Sequence, residues 1–135
     1  MNILSDTQTE TSFIRFVAYN ADGNLLQDGR WNYVWDAENR LMQMTVNSGV
    51  GPQYQLTFTY DPQGRRIQKA VTLNGVTTTT RYLYDGWNLI ATLNPQSSLL
   101  ASYLWGNDLS GTPQGAGGVG GLLAAKLLWP RCAVR

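Results

Sequence analysis

The sequence predicts an all-β fold: consecutive antiparallel β-hairpins forming one twisted sheet strip, with an irregular or short helical C-terminus. Three observations predict it. Short runs alternate apolar and polar residues with the two-residue period of a strand, as in Leu56, Phe58 and Tyr60 or Tyr82 and Tyr84. Each run ends in a turn rich in Asp, Asn and Gly. The unit then recurs, with aromatic anchors at Tyr19, Trp35, Tyr60, Tyr84 and Trp105 spaced about 16 to 25 residues apart, a period suited to stacked hairpins.

Taken in order, residues 1–12 read as a frayed lead-in segment, 13–114 as the repeated sheet and 115–135 as a glycine-rich bend with a divergent tail. In the first unit Tyr19 precedes a turn in which Asn20 accepts backbone hydrogen bonds and Gly23 takes the left-handed position. Trp35 precedes Asp36, with Asn39 as the substitute for Gly at the equivalent place. Tyr60 precedes Asp61-Pro62-Gln63-Gly64, where Pro presets φ and Gly64 permits a positive one. Tyr84 precedes Asp85-Gly86, and Trp105 opens the most eroded unit. Asn74-Gly75 marks a two-residue type I′ hairpin, and residues 47–52 a looser turn. After the glycines at 115–121, residues 122–128 can form a short helix that Pro130 would end.

Composition narrows the function classes. The 135 residues carry a net charge of +1, with Lys and Arg scattered, so the basic stripe of a nucleic-acid surface is missing and no nucleic-acid partner is expected. Charged residues are only 14% of the chain and hydrophobic ones 43%, which points to neutral polar or covered surfaces. No run is long and apolar enough for a membrane span. The polar opening lacks the basic start and apolar core of a signal peptide, and localisation stays open. With no His in the chain, His-based triads and His metal sites are excluded, and no cofactor or metal is expected.

Sharper sites are weighed against plainer ones. Asp22, Asp36, Asp61 and Asp85 could pair as acid catalysts, but their position in the turns favours capping. Cys132 has no His to activate it and reads as an incidental thiol. Gly115 to Gly121 lacks the Lys-Ser/Thr of a phosphate loop and reads as a flexible bend. Arg65, Arg66 and Lys69 read as a solvated turn. Trp31, Trp87 and Trp105 could stack on sugar rings if exposed together.

The Tyr60-Asp61-Pro62-Gln63-Gly64-Arg65-Arg66 and Tyr84-Asp85-Gly86-Trp87-Asn88 units resemble the YD repeats of the Rhs family, with Trp35-Asp36 as a variant. The stretch from Tyr103 to Leu123 is similar to the segment leading into the Rhs repeat-associated core. The resemblance implies a β-sheet shell, as in bacterial Rhs proteins, toxin-complex C components and teneurins, which in full-length relatives encapsulates a C-terminal toxin freed by aspartyl self-cleavage. It implies secretion or surface delivery of those relatives, and neighbouring YD-repeat strands or a toxin domain as partners. The cleavage carboxylates and toxin have no counterpart after Leu123, so the chain reads as a truncated fragment. The expectation is therefore a structural shell element and not an enzyme. The alternative is a carbohydrate- or cell-surface-binding module. Open sheet edges add an expectation that the chain self-associates or is only marginally stable alone.

Overall fold

A computed structural model describes residues 17–47, 49 and 51–128. It is all-β, a ten-stranded antiparallel sheet with every strand hydrogen-bonded to its neighbours in sequence. The strands are β1 (Ala18–Tyr19), β2 (Leu25–Gln27), β3 (Trp31–Trp35), β4 (Leu41–Val46), β5 (Tyr54–Tyr60), β6 (Arg66–Leu73), β7 (Val76–Asp85), β8 (Asn88–Leu93), β9 (Leu99–Trp105) and β10 (Leu122–Leu127). The outermost strands β1 and β10 do not pair, so the sheet is open and not a barrel. No helix among the described residues is long and apolar enough to cross a membrane.

Register explains both the pattern and the low charge. Directly paired residues share a sheet face. One face runs Tyr33, Met44, Leu56, Val71 and Thr78 across β3 to β7, and beside it Phe58 pairs Lys69, which pairs Thr80. The opposite face runs Asn32, Thr45, Gln55, Thr72 and Thr77 across the same strands. Neutral β-branched and amide side chains thus clothe the polar face, and Thr72 and Thr77 bond through their hydroxyls at 2.8 Å. The apolar face has no second layer of secondary structure over it among the described residues. The buried apolar residues are accordingly few: Val46, Phe58, Ala91 and Ala101.

The turns follow local chemistry. Gly23, Asn39 and Gly64 all take positive φ, at 83°, 58° and 83°. Asn74 and Gly75 are both left-handed between the paired Leu73 and Val76, as a type I′ turn demands. The expected short helix at residues 122–128 is corrected. Leu122–Leu127 is a strand paired along β9, and ladder bonds to Ser102, Tyr103 and Leu104 outweigh the helical preference of Leu, Ala and Lys. The sheet therefore reaches into the segment set apart as 115–135, at Leu122–Leu127. The frayed lead-in at 1–12 and Cys132 lie outside the described residues.

Candidate functional site

The chemistry-bearing side chains gather at one end of the sheet, where each odd-numbered strand turns into the next. The same frame is built four times there. Asn20 Oδ1 accepts from the N–H groups of Asp22 and Asn24 at 3.0 and 2.8 Å. Asp36 Oδ1 accepts from Glu38 and Arg40, both at 2.9 Å. Asp61 Oδ1 accepts from Gln63 and Arg65 at 3.0 and 2.9 Å. Asp108 Oδ1 accepts from Ser110 N–H at 2.9 Å. In each frame the fourth residue (Gly23, Asn39, Gly64 or Gly111) has positive φ and donates to the carbonyl of the first. An Asx side chain standing in for backbone, closed by a left-handed residue, is the whole rule.

Neighbouring turns are stapled by two contacts. The aromatic tip of each odd strand from β3 to β9 donates its polar atom to the preceding even strand. Trp35 Nε1 reaches Leu25 O at 2.7 Å, Tyr60 Oη reaches Leu41 O at 2.9 Å, Tyr84 Oη reaches Arg66 O at 3.0 Å and Trp105 Nε1 reaches Leu89 O at 2.7 Å. In return, Arg40 lies over the Tyr60 ring at 5.4 Å and Arg65 over Tyr84 at 5.3 Å. Both guanidinium groups are held by their own turn, with Arg40 Nε on Asp36 Oδ2 and Arg65 Nε on Asp61 Oδ2, each at 2.7 Å. Arg65 also donates to Gly86 O in the next turn. Tyr60→Phe keeps the ring and deletes one staple, so it should cost about 1 kcal/mol in a denaturant melt.

Electrostatics follow these bonds. The Arg40 backbone N–H, reinforced by its guanidinium and by Glu38 N–H, holds Asp36 below the usual carboxylate range. At Asp61 burial pushes upward, but the Arg65 side chain and backbone outweigh it and the net shift is down. Tyr33 is pushed up to about 12 by burial first, then by its hydrogen bond to Asp28 and that carboxylate's charge.

The densest cluster is the loop between β9 and β10. Asp108 is only 6% exposed. Besides Ser110 N–H it takes the Ser110 hydroxyl at 2.6 Å on Oδ1, and the N–H groups of Ala116 and Gly118 at 2.6 and 3.0 Å on Oδ2. The Ser110 hydroxyl contributes most to lowering its pKa, burial opposes, and the backbone donors complete a shift to about 2. The loop also crosses the β7–β8 turn. Gln114 accepts from Trp87 N–H at 2.9 Å and donates to Asp85 O at 2.8 Å. Gly118, at φ 81°, sits where a Cβ would collide with Asn88 Oδ1, a buried oxygen without a hydrogen-bond partner among the described residues.

Several expected sites are placed differently. Asp22 is the third residue of its turn, and the cap there is Asn20. Asp85 ends β7 and pairs Asn88 across a two-residue turn, because Gly86 beside it takes φ 55° and closes the hairpin early. The glycines at 115–121 form a loop organised on Asp108 and not a free bend. Asp108 is not among the residues expected to cap, although Asp108-Leu109-Ser110-Gly111 carries the Asx-to-glycine spacing of the other turns. The same frame recurs at the other end of the sheet in Asn94 to Ser98, where Ser97 takes the left-handed place. Trp31, Trp87 and Trp105 do not make a platform. Trp31 is on β3, Trp87 in the β7–β8 turn and Trp105 at the end of β9, so at least three strands stand between the first and the others. Among the described residues no group of three or more His, Cys, Asp or Glu side chains is placed to hold a metal.

No family model matches the chain. It is similar to the tRNA nuclease WapA of Bacillus subtilis strain 168, 34% identical over 110 residues, which span 80% of this chain and 4% of that protein. The tRNA3(Ser)-specific nuclease WapA of Bacillus spizizenii matches with the same figures. The tRNA(Glu)-specific nuclease WapA of Bacillus subtilis subsp. natto strain BEST195 is 34% identical over 108 residues, 78% of this chain and 4% of that protein. These findings correct four expectations. The relatives carry nuclease names, so assignment to the Rhs/YD-repeat family is withdrawn, and with it the toxin-encapsulating shell element. The carbohydrate- or cell-surface-binding alternative is withdrawn on the same ground. So is the reading that no enzyme is involved, since the matched relatives are named nucleases and the match spans only 4% of their length. The physical reason for the first error is now visible. An Asx turn needs an Asp or Asn and a left-handed residue, and the aromatic tips only staple neighbouring strands, so that skeleton specifies hairpin geometry and not a role.

Proposed function

We propose that this chain works as a segment of a WapA-like tRNA nuclease, the cleavage of tRNA being an activity of the polypeptide to which the sheet belongs. The observation that carries the reading is the similarity over most of this chain to nucleases of that name. The chain spans 4% of the length of those relatives, so substrate choice and the reacting groups are properties proposed for the whole polypeptide. The fold supports a segment role in one respect. Its ten strands are laid down in chain order and both outer strands remain open among the described residues, so further chain can join at either side without rearrangement. A tRNA substrate also accommodates the scattered Lys and Arg, because contact with phosphates is then spread over a much longer chain.

The test is direct. The continuous polypeptide that contains this sheet is incubated with total tRNA, and the products are resolved on a denaturing gel with probes for individual tRNA species. Discrete cleavage of one or a few tRNAs, lost when the sheet segment is deleted, supports the reading. Intact tRNA at every enzyme concentration overturns it.

A further inference from the structure

The turn between β6 and β7 joins the two longest strands of the sheet, of eight and ten residues, near its middle. Its central residues are Asn74 and Gly75, and Asn74 is the one asparagine of the chain that glycine follows. After every other asparagine the next residue carries a Cβ that crowds its nitrogen. Asn74 and Gly75 are both exposed, and both have positive φ, at 50° and 83°. Among the described residues neither the Asn74 carbonyl nor the Gly75 N–H makes a hydrogen bond, and the Asn74 side-chain amide makes none. What fixes the turn lies on either side of that peptide unit. Leu73 pairs Val76, and Asn74 N–H donates to Gln53 O at 3.4 Å. Beyond its chain neighbours, nothing comes within 4 Å of where a Cβ on Gly75 would stand.

We propose that Asn74-Gly75 is a self-modifying site, at which the chain converts its own asparagine to aspartate or isoaspartate with water as the only co-reactant. Turn types I′ and II′ share a positive φ at the first central residue and differ by a rotation of the middle peptide. That rotation takes ψ of Asn74 to about −120° and φ of Gly75 to about −80°. It leaves the Leu73–Val76 pair and the Asn74 N–H bond in place. In type I′ the Gly75 nitrogen points away from the Asn74 side chain, whereas in type II′ it swings to the Cβ side and can meet Cγ. The nitrogen gives its proton to solvent and attacks Cγ. A five-membered imide closes as the Cγ–Nδ2 bond breaks and ammonia leaves. Water then opens the ring at either carbonyl. Breaking the ring nitrogen's bond to Cγ gives aspartate, and breaking its bond to the main-chain carbonyl carbon gives isoaspartate. Aspartate keeps the turn, because it tolerates left-handed backbone. Isoaspartate adds a methylene to the main chain, so a two-residue turn no longer fits between Leu73 and Val76. Either product adds one negative charge and takes the formal net charge from +1 to 0. The step is independent of tRNA cleavage.

The full chain is aged in warm, mildly alkaline buffer, folded or in urea, and peptides from each time point are weighed by mass spectrometry. The peptide containing residue 74 should gain the mass difference between an amide and an acid, while the other asparagines keep their amides. The folded rate should stay within about ten-fold of the rate in urea, because types I′ and II′ are the two favoured hairpin turns. Isoaspartyl methyltransferase should label the aged chain and not the fresh one. Asn74→Asp should show no mass gain and should melt with fresh wild type. The isoaspartate form should melt lower, with faster hydrogen exchange at Leu73 and Val76. A folded chain that keeps its Asn74 amide while the chain in urea loses it overturns the proposal, as does amide loss spread evenly over several asparagines. An isoaspartate form that melts with the fresh chain overturns the effect on the turn.

Discussion

Asp108→Asn is expected to detach β10 from the sheet and to lower the melting temperature by roughly 5–10 °C. The carboxylate accepts from Ser110 N–H and Oγ, Ala116 N–H and Gly118 N–H, so both oxygens are fully engaged. An amide presents one acceptor oxygen and two donors, and its nitrogen would face N–H groups that have nowhere else to turn. The loop they organise carries the chain from β9 to β10, and Gly106 and Gly121 close its neck through a 2.8 Å backbone bond. Hydrogen exchange should show protection lost at residues 122–127 while β5 and β6 keep theirs. A pH series provides the second readout. The folded carboxyl titrates at about 2 against an ordinary 3.8, so its stabilisation is complete above the ordinary value and is lost as pH falls through about 2. The wild-type loop should therefore open in strong acid, and the Asp108→Asn variant should lack that step. Unchanged protection of β10 in the variant would show that the loop is held by its backbone bonds alone.

How much of this was legible follows from the range of each interaction. Gly23, Asn39 and Gly64 could be placed because a left-handed residue after an Asx cap is decided within four residues. The Asn74-Gly75 hairpin is equally local. The alternation of Leu56, Phe58 and Tyr60 located a strand and its covered face, since period two survives whatever the partner strand is. Illegible features depend on distant partners. Leu122 to Leu127 consists largely of helix formers, and only pairing with β9 makes it a strand. Asp108 takes donors eight and ten residues away, which no local pattern announces. Asp85 shows the converse failure. It matches the pattern in sequence, yet Gly86 closes the hairpin in two residues and no Asx turn forms.

The same distinction explains the functional correction. Staples such as Arg40 over Tyr60 and Tyr60 on Leu41 O engage the aromatic anchors of the repeat, so their residue types report how hairpins are joined. The nuclease names belong to long relatives matched over 4% of their length, and nothing in these turns announces them.

Phe58→Ala is expected to be the most destabilising single change on the apolar face, costing about 3 kcal/mol. Phe58 is 6% exposed, the only large ring among the buried apolar residues of the described sheet. It sits in the seven-residue β5 and pairs Lys69 of β6, with the Arg66 guanidinium 5.5 Å from its ring centre. A sheet without a second layer cannot close over the space a ring leaves, so little of the cost is recovered by relaxation. Two further losses add to it: the cation–π contact with Arg66, and the cover that keeps water from the β5–β6 ladder. Against a total stability of roughly 5–15 kcal/mol for a domain, a change of this size removes a large share. Denaturant unfolding should show the midpoint shifted down with an unchanged slope. Phe58→Leu, which keeps most of the volume and loses the π face, should cost about 1 kcal/mol. If Ala and Leu cost the same, the ring's contact with Arg66 dominates. If Ala costs less than about 1 kcal/mol, the size of one hydrogen bond, the apolar face is not what holds the sheet together, and the ladder and staples must carry it.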